Sequence, residues 1–181
     1  MAWKTRGLRG SILEEMIGHV IEDYRKNGLA LIQKVPTPIT PIDIDKKTRH
    51  ITLAYFDQKS TVDYIGVVQS IPVCFDAKEC AKSTFPLTNI HDRQIEFMAD
   101  FEKQGGISFL IIYFSTTGEF YYMRFEEMMN FVNRAKNGGR KSFTLDELDK
   151  NFYLGSSANT TINILRGIQR DLDLRDGDTD E

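Results

Sequence analysis

An α/β fold, with a mixed sheet and helices on both faces, follows from three observations. Between Ser11 and Lys26 apolar residues recur at the i, i+3, i+4 spacing of a helix: Ile12, Leu13, Met16, Ile17, Val20, Ile21 and Tyr24. ISFLIIYF (107–114) is an unbroken apolar run of strand length, which suits a strand buried on both faces. Strand and helix patterns then follow one another in the order α-β-β-β-β-α-β-β-α, which layered α/β domains produce.

Each element has local grounds. Ser11 and Glu14 form a capping box at the start of the first helix, and Gly28 ends it. LALIQKV (29–35) reads as a strand. PTPITPIDIDKKTRH follows, and three prolines in six residues exclude both a regular helix and a central strand. Residues 36–50 are therefore an extended excursion that returns through the strand ITLAYF (51–56). TVDYIGVV and IPVCFDAKE are two strands joined by a QS turn, and KSTFPLTN is a loop. Asn89 is expected to cap a helix reaching about Gln104, before Gly105-Gly106. EFYYMRF (119–125) pairs with 107–114 across STTG. EEMMNFVNRAK is a helix ended by NGG, TLDELDK a short helix with a threonine cap, and TTINILRGIQRDL the last helix.

The 181 residues suit one domain with a substantial core. No apolar run reaches membrane-spanning length, and MAWKTRGLRG does not read as a secretory signal. Cys74 and Cys80 lack metal-type spacing and fit a reducing cytosol. Net charge is −3, yet residues 171–181 hold six acids and one base; the rest carries 22 basic and 20 acidic residues. The acidic tail reads as disordered. Basic clusters at Lys4, Arg6 and Arg9 and at Lys46, Lys47 and Arg49 permit a DNA partner without requiring one.

The chemistry concentrates in STVDYIGVVQSIPVCFDAKE (60–79). Side chains alternate along a strand, so Asp76 and Lys78 share a face, as do Thr61 and Asp63. If the two strands pair, the two carboxylates and the ammonium meet on one side of the sheet. Two carboxylates one strand apart suit Mg²⁺, which takes hard oxygen ligands. A divalent cation polarises a phosphoryl oxygen and activates water, and a lysine can orient that water or stabilise the charge that develops. The competing account is a salt-bridged hairpin. Roughly two acid-x-Lys triplets arise by chance in such a chain. Three begin with Asp here, at Asp45/Lys47, Asp57/Lys59 and Asp76/Lys78, and only the last closes an apolar strand.

Gln94 falls within the apolar stripe set by Ile90, Phe97 and Phe101, where a buried amide needs partners. It is either bonded to backbone or aimed at a metal. His91 lies nearer the polar rim, as a phosphate contact or a surface histidine. Glu14 is a capping residue or an accessory acid. Arg9 reaches a phosphate or is solvated. No GxxxxGK[ST] loop is present, so nucleotide triphosphate hydrolysis is not indicated.

RGSILEEMI, QKVPTPI, AYFDQKSTVDYIGV, FDAKE, STFPL and NIHDRQIEFM occur in the order that characterises RecU, the Holliday-junction resolvase family of Gram-positive bacteria and some of their phages. The resemblance runs from about Arg9 to Leu154, and its combination of motifs is specific where each alone is weak. It implies a restriction-endonuclease-like fold of the PD-(D/E)xK type and a homodimer that nicks opposed strands of a four-way junction with Mg²⁺ or Mn²⁺. It implies metal positions at Thr61, Asp63, Asp76 and Gln94, and a transition-state-stabilising lysine at Lys78. The proline-bearing excursion would be a stalk that projects toward the junction centre. Candidate DNA contacts are Arg9, Lys34, Lys46, Lys47, Lys82, His91 and Arg93. The chain departs from the pattern in having aspartate at 76 where glutamate is usual, a loop one residue shorter before Gln94, a short N-terminal arm and an acidic tail.

The expectation is a single nuclease domain over residues 1–170, with its stalk at 36–50, followed by the tail at 171–181. Asp63, Asp76 and Lys78 are its catalytic group, and a bacterial or phage-infected cytoplasm is its setting. A duplex-cutting restriction or repair nuclease, a non-catalytic junction-binding module and recruitment of branch-migration or recombination proteins remain as alternatives or additions.

Overall fold

The structure is a computed structural model that describes residues 12–56, 61–156 and 162–177. Helix α1 (Ile12–Lys26) leads into β1 (Ala30–Lys34). The excursion is itself regular. Strands β2 (Ile39–Ile44) and β3 (Ile51–Phe56) pair only with each other, as a two-stranded ribbon. The stalk is thus longer than residues 36–50, because 51–56 is its second strand and not part of the main sheet.

Strands β4 (Tyr64–Val68) and β5 (Ile71–Cys80) form the expected hairpin. Its turn residues, Gln69 and Ser70, have φ of 47° and 76°, the left-handed pair whose twist suits a two-residue hairpin. This turn fixes Tyr64 opposite Phe75, and so sets every other pair. β7 (Ile107–Phe114) is buried along its whole length and runs parallel to β5, with Asp76 beside Leu110. Parallel neighbours need a crossover. Helix α2 (Asp92–Lys103) lies within that crossover and packs on the sheet face that carries Asp76. β8 (Glu119–Arg124) and β10 (Tyr153–Ser156) complete a six-stranded sheet in the order β1-β4-β5-β7-β8-β10. Its pairs are antiparallel apart from β5–β7.

Helices α2 and α3 (Phe125–Lys136) cover one face, α1 and α4 (Ile164–Gly177) the other. On the α1/α4 face Tyr64, Phe75, Phe109 and Tyr122 stack across four adjacent strands, with ring centroids 4.6, 4.8 and 4.3 Å apart. Such pairs contribute about 0.5–1.5 kcal/mol each beyond their burial. Short strands β6 (Thr84–Pro86) and β9 (Ser142–Thr144) pair at the edge and stack Phe85 on Phe143. No helix among the described residues is long and apolar enough to cross a membrane.

Three expectations are corrected. Residues 84–86, inside the expected loop, form a strand held by β9 from 58 positions away in sequence. Helix α2 begins at Asp92 with His91 as its cap, and Leu87–Asn89 is a separate 3₁₀ turn. Residues 171–177 are not a disordered tail. α4 continues through them because Asp171 is buried as a hydrogen-bond acceptor. Residues 178–181 and the capping residue Ser11 lie outside the described residues.

Gly66 shows how tightly β4 is seated. A Cβ there would lie 2.3 Å from the Leu31 carbonyl oxygen and 2.6 Å from the Ile32 Cα. These are backbone atoms of β1 and cannot swing aside. Gly66→Ala should destabilise the fold by about 1–3 kcal/mol, as other forced overpacking does. A melt within a degree of wild type would show that β1 yields easily.

Candidate active site

The hairpin turn and the alternation of side chains bring the predicted group together. Asp63 immediately precedes β4 and, by the hairpin register, sits opposite Asp76 on β5. Its Oδ2 accepts a hydrogen bond of 3.0 Å from the Ala77 N–H. Asp76 is completely buried. The Lys78 ammonium lies 2.5 Å from Asp76 Oδ2, in an ion pair, but outside the angle of a hydrogen bond. Asp76 Oδ1 accepts a 2.8 Å bond from the Gln94 side-chain nitrogen. Gln94 Oε1 in turn accepts from Lys78 Nζ at 3.2 Å and from the His91 N–H at 3.1 Å.

Gln94 is therefore buried, as its sequence position implied, and one of its partners is the backbone N–H of His91. Its oxygen is engaged by two donors, so it holds the lysine and the start of α2 in register with Asp76. The helix face turned to the sheet runs through Gln94 and Met98, while Phe97 and Phe101 are only partly buried.

Burial pushes the Asp76 carboxyl up to about 7; Lys78 pulls it down, but less strongly, and the Asp63 carboxylate adds to the rise. A buried carboxylate oxygen met only by the Lys78 ammonium, with a second carboxylate close by, is the donor chemistry of a hard divalent cation. Among the described residues no group of three or more His, Cys, Asp and Glu is placed to hold a metal. Asp63 and Asp76 would thus share a cation with water, amide, hydroxyl or phosphate oxygens, as Mg²⁺ accepts. The residues fit the implied metal on those terms.

The other candidates are scattered around this centre. Thr61 is exposed, two residues before Asp63. Glu14 pairs with Lys34 across 2.7 Å, joining α1 to β1. Burial raises the Tyr64 hydroxyl pKa, and the carboxylates of Glu14, Asp63 and Asp76 raise it further, which places Glu14 at the periphery of the acidic centre. Lys34 is half exposed, and so weak a surface pair leaves its ammonium able to exchange partners. His91, Arg93 and Lys82 are exposed on the α2 side of the sheet's end. Lys46 and Lys47 stand at the ribbon tip, where Asp45 Oδ1 accepts from the Lys47 N–H at 2.8 Å and the Thr48 N–H at 3.3 Å. Those bonds shape the turn and hold the Asp45 carboxyl below its usual range. Arg9 lies outside the described residues. The basic run from Asn133 to Lys141, beside α2, went unread in the sequence, although its four bases without an acid were visible there.

Two carboxylates and a lysine thus meet at the parallel junction of a mixed sheet, with an amide hydrogen-bonded to Asp76 and Lys78. The chain belongs to the RecU family: the family model described as RecU, Recombination protein U, matches residues 8–170 and so reaches into α4. The chain is 38% identical over 171 residues to Holliday junction resolvase RecU of Listeria welshimeri, covering 92% of this chain and 85% of that protein. It is 43% identical over 144 residues to the protein of the same name from Bacillus pumilus, covering 77% and 69%. The Staphylococcus aureus relative, also named Holliday junction resolvase RecU, is 42% identical over 151 residues, covering 81% and 73%. Among solved structures the fold is similar to Hjc, a Holliday junction resolvase from Archaeoglobus fulgidus. That match has a TM-score of 0.38 and 8% identity, and covers 62% of this chain and 76% of that one.

Proposed function

We propose that this protein is a Holliday junction resolvase, a metal-dependent endonuclease that nicks opposed strands of four-way DNA junctions. The observation that carries the reading is the closed Asp63, Asp76, Lys78 and Gln94 cluster in a chain of the RecU family. Asp63 and Asp76 would hold Mg²⁺, with Mn²⁺ accepted, and Thr61 and Gln94 flank that position. When bound, the cation polarises the phosphoryl group and offsets its negative charge. The chain's own work is positional. Asp76 and Gln94 fix the Lys78 ammonium where it can orient the attacking water and balance charge on the phosphoryl oxygens.

Opposed nicks need two such centres, and the ribbon supports a homodimer. Ile39, Ile42, Ile44, Ile51, Leu53, Tyr55 and Phe56 are seven of the eleven large apolar side chains exposed among the described residues. A two-stranded ribbon is only marginally stable by itself, and an apolar patch of this kind marks a docking surface. A second copy covers the shaft while Lys46 and Lys47 meet DNA at the tip. The setting is the cytoplasm of a bacterium, or of one infected by a phage.

The test compares a labelled immobile four-way junction with a linear duplex of matching sequence. Paired nicks in the junction alone, with Mg²⁺ and not with EDTA, are expected. Equal cutting of the duplex would make this a duplex nuclease. Binding without cutting in Mg²⁺ and Mn²⁺ would leave a junction-binding module.

A further inference from the structure

A groove of about 620 Å³ lies between the start of α2 and the end of α3. Leu87, Ile90, Ile95 and Val132 give it an apolar part, and Lys136, Lys141, Asp92 and Thr88 a polar one. The two lysines differ from the other bases of their segment. Arg134 and Arg140 are both committed to Glu147, whereas Lys136 and Lys141 have no ion-pair partner among the described residues. Their backbone is fixed. The Leu87 N–H donates to the Lys141 carbonyl at 3.1 Å, and the Arg134 guanidinium donates to the Ser142 carbonyl at 2.6 Å. The groove meets the cluster through His91, and none of Asp63, Asp76, Lys78 and Gln94 lines it. His91 lines it, and the His91 N–H donates to the Gln94 oxygen that holds Lys78.

Apolar side chains beside two ammoniums, which outnumber the one carboxylate of Asp92, are complementary to a ligand with a flat apolar part and an anionic part. The volume falls within the roughly 300–1,000 Å³ of small-molecule sites, so it is too small for a duplex and large enough for one nucleotide. We propose that the groove is a nucleotide subsite. It takes one unstacked nucleotide of the strand being cut, next to the scissile phosphate, with its base on the apolar side chains and its phosphate between Lys136 and Lys141. This deepens the reading of the chain as a junction nuclease and rests on it. A base at a branch point loses less stacking when extruded than one inside a duplex. The subsite therefore selects branched DNA through the ease of filling it, with no recognition of the junction's overall shape.

The experiment uses the full chain and junctions with 2-aminopurine at single positions on either side of the cut, bound in EDTA so that no cleavage intervenes. One position should brighten severalfold on binding, and the matching duplex should stay dark. Lys136→Ala with Lys141→Ala changes two exposed side chains and leaves the fold intact. This variant should lose the signal, cut the junction at least tenfold more slowly in Mg²⁺, and melt with wild type. Ala135→Trp, which fills the groove from α3, should act likewise. If wild type cuts the junction while every position stays dark, or if the signal survives both variants, the subsite is refuted and the nuclease reading stands. If wild type cuts no junction in either metal, the nuclease reading fails first and takes the subsite with it.

Discussion

Asp76→Asn should abolish junction cleavage, by at least about a hundredfold, the scale on which removal of one catalytic electrostatic group is felt. The same change should make the metal-free protein more stable above pH 7. Both effects have one cause. Asp76 is completely buried, and its carboxyl is raised from 3.8 to about 7, first by desolvation. The folded state thus keeps a proton that the unfolded chain has released. The stabilisation is fully present below pH 3.8 and is lost as the pH rises through about 7, over a span worth on the order of 2–4 kcal/mol. Asparagine keeps the acceptor and has no such titration. In EDTA the wild-type melting temperature should fall between pH 5 and pH 8, and that of Asp76→Asn should stay nearly level. A bound cation would restore the wild type, since it binds the carboxylate and competes with the proton. Active sites commonly give up stability for function in this way. Parallel melting profiles for the two proteins would mean that Lys78 fully compensates the buried charge. A variant that still cuts would remove Asp76 from the centre.

The meeting of Asp63, Asp76 and Lys78 was legible because its order is local. Period-two alternation gave Asp76 and Lys78 one face, and the QS turn placed Asp63 across from Asp76. Gln94 stood out as an amide in an apolar stripe, yet its partners could not be read, since they come from β5 and from the cap of its own helix. What escaped the sequence depends on contacts between distant segments. β6 and β9 have three residues each, too few to show a period, and pair across 58 positions. The Glu14–Lys34 pair spans 20 positions, a distance over which the capping pattern says nothing. The acids of residues 171–177 look like a solvated tail until Tyr122, 49 positions earlier, supplies a partner for Asp171. Composition records charge and not whether a fold has a donor ready for it.

That last contact supports the largest stability prediction. Asp171 is 2% exposed and accepts from the Tyr122 hydroxyl at 2.9 Å and from Arg175 Nε at 2.9 Å. Arg175 extends the cluster to both oxygens of Glu102 on α2, at 2.7 and 3.1 Å, and Glu102 accepts from the Ser108 N–H on β7 at 2.6 Å. One chain of charge-assisted bonds thus ties α4 to β8, to α2 and to the strand beside Asp76. Removing Asp171 leaves the buried Tyr122 hydroxyl unmet and Arg175 with Glu102 alone, at a cost of about 3 kcal/mol. Asp171→Ala should lower the melting temperature by roughly 10 °C, taking 2–4 °C per kcal/mol for a domain of this size. Tyr122→Phe deletes only one hydroxyl and should cost less. The two changes together should cost less than their sum, because they remove the same bond. A chain ending at residue 170 should fare worse than either. It lacks Asp171 and Arg175, and it cuts α4 in half. A fragment ending there that melts like the full chain would show that α4 beyond residue 170 contributes nothing. A fall of 10 °C or more would place these acids inside the fold and make the helix they end a structural support of the face that carries Gln94.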